Sequence, residues 1–418
     1  MIRWHNQGRM QRLSATRSVV ALSLLAISFP TLARSFAALP VCPAPQDGSS
    51  PTALRDATSS PLQQLSRLTT LSIDSGDLDV IRQWVGESKQ GIITDATTNP
   101  LLVAQAGLSG HPLYADMMDT AVAQAVAAQE QQQQNDDISS SSSIVDDAMD
   151  RLAVQLGVAI AGLVSGRVST EVDPRLSFDT HASIARAIHI GALYRQAGLD
   201  PSERVLIKLA ATWEGIQAAY VLEREHDLRC NLTLLFGQVQ AEACAQHGVF
   251  LISPFPGRVL DWHHQQTKGG RTRVESPADD EGVQAVVKMQ EWFVEHGYDT
   301  ICMPASWRPS RGPGGYDLDE IRALAGVDRM TIPPALLEQL DTSSAPVEQQ
   351  LIRTTKRKPR TPASDKRMTE QEFRYRLCMD GCANDKMAEG LRAFVEQTEQ
   401  LEEAVKSKVQ EALGVAAS

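Results

Sequence analysis

Eight short apolar runs, each followed by a polar or helical stretch, constrain this chain more than any other feature. The runs are Leu71–Asp74, Gly91–Thr94, Val168–Val172, Val205–Leu209, Arg229–Leu235, Val249–Ser253, Thr300–Ala305 and Arg329–Ile332. Ala182–Ala197, Thr212–Glu225, Gln238–His247 and Gly282–His296 carry amphipathic helical spacing between them. Eight strands alternating with helices predict an α/β protein built as a (β/α)8 TIM barrel. A doubly wound open sheet is the alternative, and its first strand is expected to lead into a glycine-rich phosphate loop. No GxGxxG or GxxxxGKS pattern occurs here, which favours the barrel. Lys386–Leu413 predicts an additional C-terminal helix packed on it.

The flanks and insertions read differently. Arg3, Arg9, Arg12 and Arg17 precede the apolar run Val19–Phe29, and no acidic residue appears before Asp47. That run is too short to span a bilayer, so residues 1–60 read as a targeting segment and 61–418 as the barrel. Within the barrel, the Gln- and Ser-rich stretch at 129–143 reads as a disordered insertion, and 308–316 as an irregular loop. Arg353–Lys366, basic and Pro-containing, reads as an exposed loop. The net charge of -11 argues against a nucleic-acid or membrane-surface binder. A small phosphate pocket needs only two or three local donors and is compatible with it. The six cysteines form no CxxC pair, and Cys230 and Cys302 lie in apolar runs as core residues. Cys378 and Cys382 read as solitary thiols, with a redox pair as the alternative.

Lys208 sits inside one of the apolar strands, Val205-Leu206-Ile207-Lys208-Leu209-Ala210. Alternation puts Val205, Ile207 and Leu209 on one face and Leu206, Lys208 and Ala210 on the other. A desolvated lysine loses its proton more easily and becomes the amine nucleophile that forms a Schiff base with a carbonyl. The plainer reading is an edge-strand lysine or one paired with a carboxylate for structure.

Barrel enzymes build their sites at the C-terminal strand ends. Those ends carry Asp74, Thr94 with Asp95, Glu171, Lys208, Asn231 with Thr233, Ser253, Ser306 and Thr331. If the more apolar face of each strand packs on helices, parity turns Asp74, Glu171, Lys208, Asn231, Thr233 and Ser253 into the barrel mouth. Lys208 can then supply an amine, Asp74 and Glu171 acid–base function, and Asn231, Thr233 and Ser253 a grip on hydroxyls or water. Arg258 and Arg308, just past the sixth and seventh strands, can clamp a phosphate together with a serine hydroxyl. Each residue alone has an ordinary reading, as a helix cap, a turn residue or a surface arginine.

The segments Thr94-Asp95-Ala96-Thr97-Thr98-Asn99-Pro100-Leu101-Leu102 and Val205-Leu206-Ile207-Lys208-Leu209-Ala210-Ala211-Thr212-Trp213-Glu214-Gly215 resemble the two transaldolase signatures. Gly166–Asp173, Cys230–Phe236 and Val249–Phe255 resemble that family in the same order. The resemblance implies Lys208 as the Schiff-base lysine, Asp74 as acid–base carboxylate, and Glu171 with Thr233 as holders of the catalytic water. It implies Thr97, Asn99, Asn231 and Ser253 as substrate-binding residues, and Arg258, Ser306 and Arg308 as the phosphate group. The implied activity moves a dihydroxyacetone unit from a ketose phosphate to an aldose phosphate, with no metal or organic cofactor. The implied partners are sugar phosphates and a second copy in a homodimer, with no nucleic acid and no membrane. A lyase releasing free dihydroxyacetone and a non-catalytic sugar-phosphate-binding barrel are the rivals. Leu32–Pro40 resembles the junction that follows the signal segment in plastid-targeted proteins of diatoms and related algae. It implies a plastid, with the cytoplasm as alternative.

Overall fold

The structure is a computed structural model and describes residues 59–134, 144–267, 270, 273–351 and 367–414. Eight strands lie in it: β1 (Thr70–Asp74), β2 (Ile93–Thr97), β3 (Val168–Glu171), β4 (Val205–Ala210), β5 (Cys230–Leu235), β6 (Leu251–Pro254), β7 (Ile301–Cys302) and β8 (Arg329–Ile332). All pairings are parallel, in the order β7-β6-β5-β4-β3-β2-β1-β8. The two ends of that series meet where Thr331 N donates to Pro304 O at 3.1 Å. The architecture is the expected (β/α)8 barrel.

Parity works as the sequence demands. On β4, Val205, Ile207 and Leu209 join the large core shared with the helices, whereas Leu206 joins Leu251 and Met303 in a separate small cluster. Three apolar side chains thus plug the barrel interior below the polar groups. Each contributes roughly 1.5–3 kcal/mol of burial free energy.

Several boundaries differ from expectation. β2 begins at Ile93 rather than Gly91, because Gly91 turns the chain with φ of 80°. It runs on to Thr97, so Thr94 and Asp95 do not end it. β7 forms a ladder only over Ile301–Cys302, and Pro304 has no N–H to donate toward β8. The chain still follows β6, with Met303 N bonded to Ile252 O at 2.9 Å and Ala305 N to Pro254 O at 3.0 Å. Residues 129–134 are not loop but the last turns of the helix Pro112–Gln134. Gln is a good helix former, so a helix anchored by buried Met118, Ala121, Val122 and Ala125 continues through it. The rest of that insertion call, 135–143, lies outside the described residues, as do residues 1–58 and 352–366.

The C-terminal helix, Gly381–Ala412, starts earlier than predicted, capped by Asp380 accepting from Ala383 N at 3.0 Å. Its buried stripe includes Met387, Gly390, Leu391, Phe394, Thr398, Leu401, Val405 and Val409. Leu401, Val405 and Val409 pack with Met118, Val122 and Leu152. At Gly390 the helix crosses the end of β5 closely: a Cβ there would lie 2.6 Å from Leu234 Cδ2. A larger residue there would require the Leu234 side chain to shift.

Candidate active site

Register assembles the centre. Glu171 lies beside Lys208 across β3 and β4, and Lys208 beside Asn231 across β4 and β5. Neighbouring strands are about 4.8 Å apart, so three functional side chains stand in one row. Lys208 is 3% exposed. Its Nζ donates to Thr98 O at 3.3 Å and lies 3.2 Å from Glu171 Oε2. A buried ammonium without such a partner would be costly.

Burial pushes the Glu171 carboxyl above the usual range, and Lys208 opposes that shift. Asp74, at the end of β1, is raised in the same way by burial, with Lys208 pulling it down. The lysine therefore faces two carboxyls, each on a different strand and each inclined to hold a proton. Such a set offers both a proton donor and a proton acceptor beside the amine.

A polar collar surrounds the amine. Ser253 Oγ donates to Asn231 Oδ1 at 2.7 Å, and Asn231 Nδ2 donates to Ser169 Oγ at 3.2 Å. Both ends of the Asn231 amide are thereby fixed. Thr97 Oγ1 is 3.0 Å from Ser72 Oγ and 3.4 Å from Thr331 Oγ1. Thr233 is fully buried, and its Oγ1 has no hydrogen-bond partner among the described residues. The β5–β6 register slips between Leu232 and Leu235, and Leu234 adopts a φ of 54°. An irregularity of this kind re-aims side chains at a barrel rim.

The cationic end lies past β6 and β7. Arg258 Nε donates to Ser306 Oγ at 3.4 Å. Burial and the neighbouring Arg308 both push the Arg258 guanidinium below its ordinary pKa. Two cations held together in this way favour an anion between them. Ser306 takes the left-handed conformation, φ 65°, uncommon for a residue with a side chain. A Cβ on Gly257 would lie 2.4 Å from Ser306 O and 2.9 Å from Arg308 N. This glycine lets the helix Pro256–Gln266 reach the loop that carries the clamp.

Some predicted residues do other work as well. Asn99 Oδ1 accepts from Leu102 N at 3.0 Å, capping the helix Pro100–Gly107. Arg308 is tied to Asp261 at 3.0 Å, and its backbone N–H donates to Glu320 Oε2 at 2.7 Å. The clamp is thus asymmetric: Arg308 is ion-paired to Asp261, whereas Arg258 makes no ion pair among the described residues. Asp95 pairs with Arg329 and accepts from Arg167 N, a structural role. The sequence assigns neither Ser72 nor Phe394 to the site, and Ser169 shares the strand face of Glu171 without being assigned to it. Parity alone could have found the two serines, which lie two residues before Asp74 and Glu171. Cys378 is exposed and Cys382 buried; both are free, and burial pushes the Cys382 thiol up to about 12. Such a thiol is not a ready redox partner.

A profile of the transaldolase/fructose-6-phosphate aldolase family matches residues 71–405. A transaldolase of Alteromonas mediterranea is 44% identical over 351 residues, which is 84% of this chain and 99% of the relative. One from Pseudoalteromonas atlantica is 44% identical over 351 residues, covering 84% of this chain and 100% of its own. One from Shewanella oneidensis is 43% identical over 348 residues, covering 83% and 98%. The matched stretch contains every strand from β2 to β8, the amine with its two carboxyls, and the arginine pair. A barrel with this extent of likeness belongs to the transaldolase/fructose-6-phosphate aldolase family.

Proposed function

We propose that the barrel mouth carries out transaldol transfer, with Lys208 as nucleophile and a ketose phosphate as donor. The observation that carries this reading is the row Glu171–Lys208–Asn231, in which a buried amine lies 3.2 Å from a carboxyl. The Lys208 lone pair adds to C2 of the ketose, and the carbonyl π pair moves to its oxygen, which takes a proton. That oxygen then leaves as water, and the nitrogen pair forms the C=N bond of an iminium. Glu171 and Thr233, buried with hydrogen-bonding capacity to spare, hold the water and pass its protons.

Asp74 next takes the proton of the C4 hydroxyl. The C4–O pair becomes a carbonyl, and the C3–C4 bonding pair flows into the iminium to give an enamine. An aldose phosphate leaves. The enamine carbon then attacks the aldehyde of an acceptor such as erythrose 4-phosphate or glyceraldehyde 3-phosphate, and Asp74 returns its proton. Water releases the new ketose. Thr97, Asn99, Asn231 and Ser253 hold the hydroxyls, and Arg258, Ser306 and Arg308 hold the phosphate. The lysine acts as the electron sink throughout.

Product analysis tests the transfer. With fructose 6-phosphate and erythrose 4-phosphate, the expected products are sedoheptulose 7-phosphate and glyceraldehyde 3-phosphate. Free dihydroxyacetone, released at the same rate with and without acceptor, would replace this reading by the lyase. Residues 1–60 we read as a targeting segment for a plastid, on the strength of the arginines, the short apolar run and the Leu32–Pro40 junction. The matched relatives named above are bacterial. A reporter carrying residues 1–60 is expected to enter the organelle, and a diffuse cytosolic signal would overturn that assignment.

A further inference from the structure

The C-terminal helix carries one aromatic side chain over the reacting nitrogen. Gly390 fixes the crossing point above β5, and a Cβ there would also lie 3.6 Å from Arg258 Nη1. One turn later comes Phe394, 6% exposed. Its ring centroid lies 5.8 Å from Lys208 Nζ, with the nitrogen over the ring. One further turn on, Thr398 lines a cavity of about 60 Å³ together with Thr98 and Glu171. The helix therefore roofs both the arginine clamp and the amine with residues spaced one turn apart.

Among the described residues, Asp74 from β1 and Glu171 from β3 act electrostatically on Lys208. The helix brings Lys386 and Glu389 to the mouth, but these pair with each other at 2.9 Å, and Glu389 acts on Arg258. Toward the nitrogen it presents a ring instead. The face of an aromatic ring attracts a cation within about 6 Å, more strongly when water is excluded. The nitrogen is cationic both as ammonium and as iminium. A third carboxyl would compete for the protons that Asp74 and Glu171 handle, whereas a ring attracts without titrating.

We propose that Phe394 is a positioning residue for the Schiff-base nitrogen, its ring face steadying the cationic iminium while it walls off bulk water. The inference rests on the Schiff-base reading above and adds the C-terminal helix to the machinery that carries it.

The test uses the full chain with Phe394→Leu, Phe394→Met and Phe394→Tyr. Leu and Met keep apolar bulk but remove the ring; Tyr keeps the ring. The expected result for Leu and Met is a fall in kcat of about 3- to 10-fold, the size of a cation–π contact at this separation. KM for fructose 6-phosphate should move less than about 2-fold, because the phosphate clamp is untouched. The borohydride-trapped adduct at Lys208 should fall with kcat, and Phe394→Tyr should restore both. Wild-type kcat in the Leu and Met variants overturns the inference, as does a Tyr variant that falls as far as Leu. A purely structural ring would lower Tm and leave the trapped fraction of folded protein unchanged. Absence of adduct in the wild type would remove the Schiff-base reading and this inference together, an outcome distinct from normal wild-type trapping with undisturbed variants.

Discussion

Lys208→Met eliminates the borohydride-trapped adduct with fructose 6-phosphate and lowers kcat/KM by about 10⁴-fold or more. Methionine is the informative replacement because it keeps the volume and apolar stem of a side chain that is 3% exposed. The variant loses the nucleophile without opening a cavity. It also leaves Glu171 without the ammonium 3.2 Å away. Burial already raises that carboxyl, and Lys208 is what holds it down. In the variant it takes up a proton rather than standing as a lone buried charge. The fold should therefore survive, with Tm within several degrees of wild type and circular dichroism unchanged. Mass mapping of the wild-type adduct to a lysine other than Lys208 would sink the assignment.

Asp74→Asn is expected to lower kcat by about 10²- to 10⁴-fold, the usual worth of a positioned acid–base group. KM for the donor should change little, since Arg258 and Arg308 lie past β6 and β7, away from β1. The pH profile carries the sharper test. Asp74 acts in its ionised form when it takes the C4 hydroxyl proton. Burial raises its pKa, so the carboxylate is lost on acidification at a higher pH than for an exposed aspartate. The acid limb of kcat should then lie above the ordinary value of about 4 and vanish in Asp74→Asn. A retained limb in the variant would move the base role to Glu171, which shares the same cause of shift.

Much of this was legible in the sequence because a barrel strand writes its inward face in every second residue. Lys208, Asn231, Thr233 and Ser253 sat opposite apolar neighbours; the register sets Lys208 beside Asn231, and Ser253 Oγ bonds to Asn231 Oδ1. Where the pattern was polar on both faces, it failed. Strand β2 reads Ile-Thr-Asp-Ala-Thr, so its last residues looked like loop although they pair with β1 and β3. The use of Asn99 as a helix cap and the tie from Arg308 to Asp261 depend on tertiary placement. Phe394 gave no signal at all. An aromatic on the apolar stripe of a helix reads as core, and only the crossing at Gly390 brings it over β4 and β5.

The roof of the mouth comes from Gly381–Ala412, whereas the last strand of the barrel ends at Ile332. On a ribosome, acid, base and amine have all emerged well before the helix that shelters them. The mouth is therefore covered by residues synthesised after all eight strands.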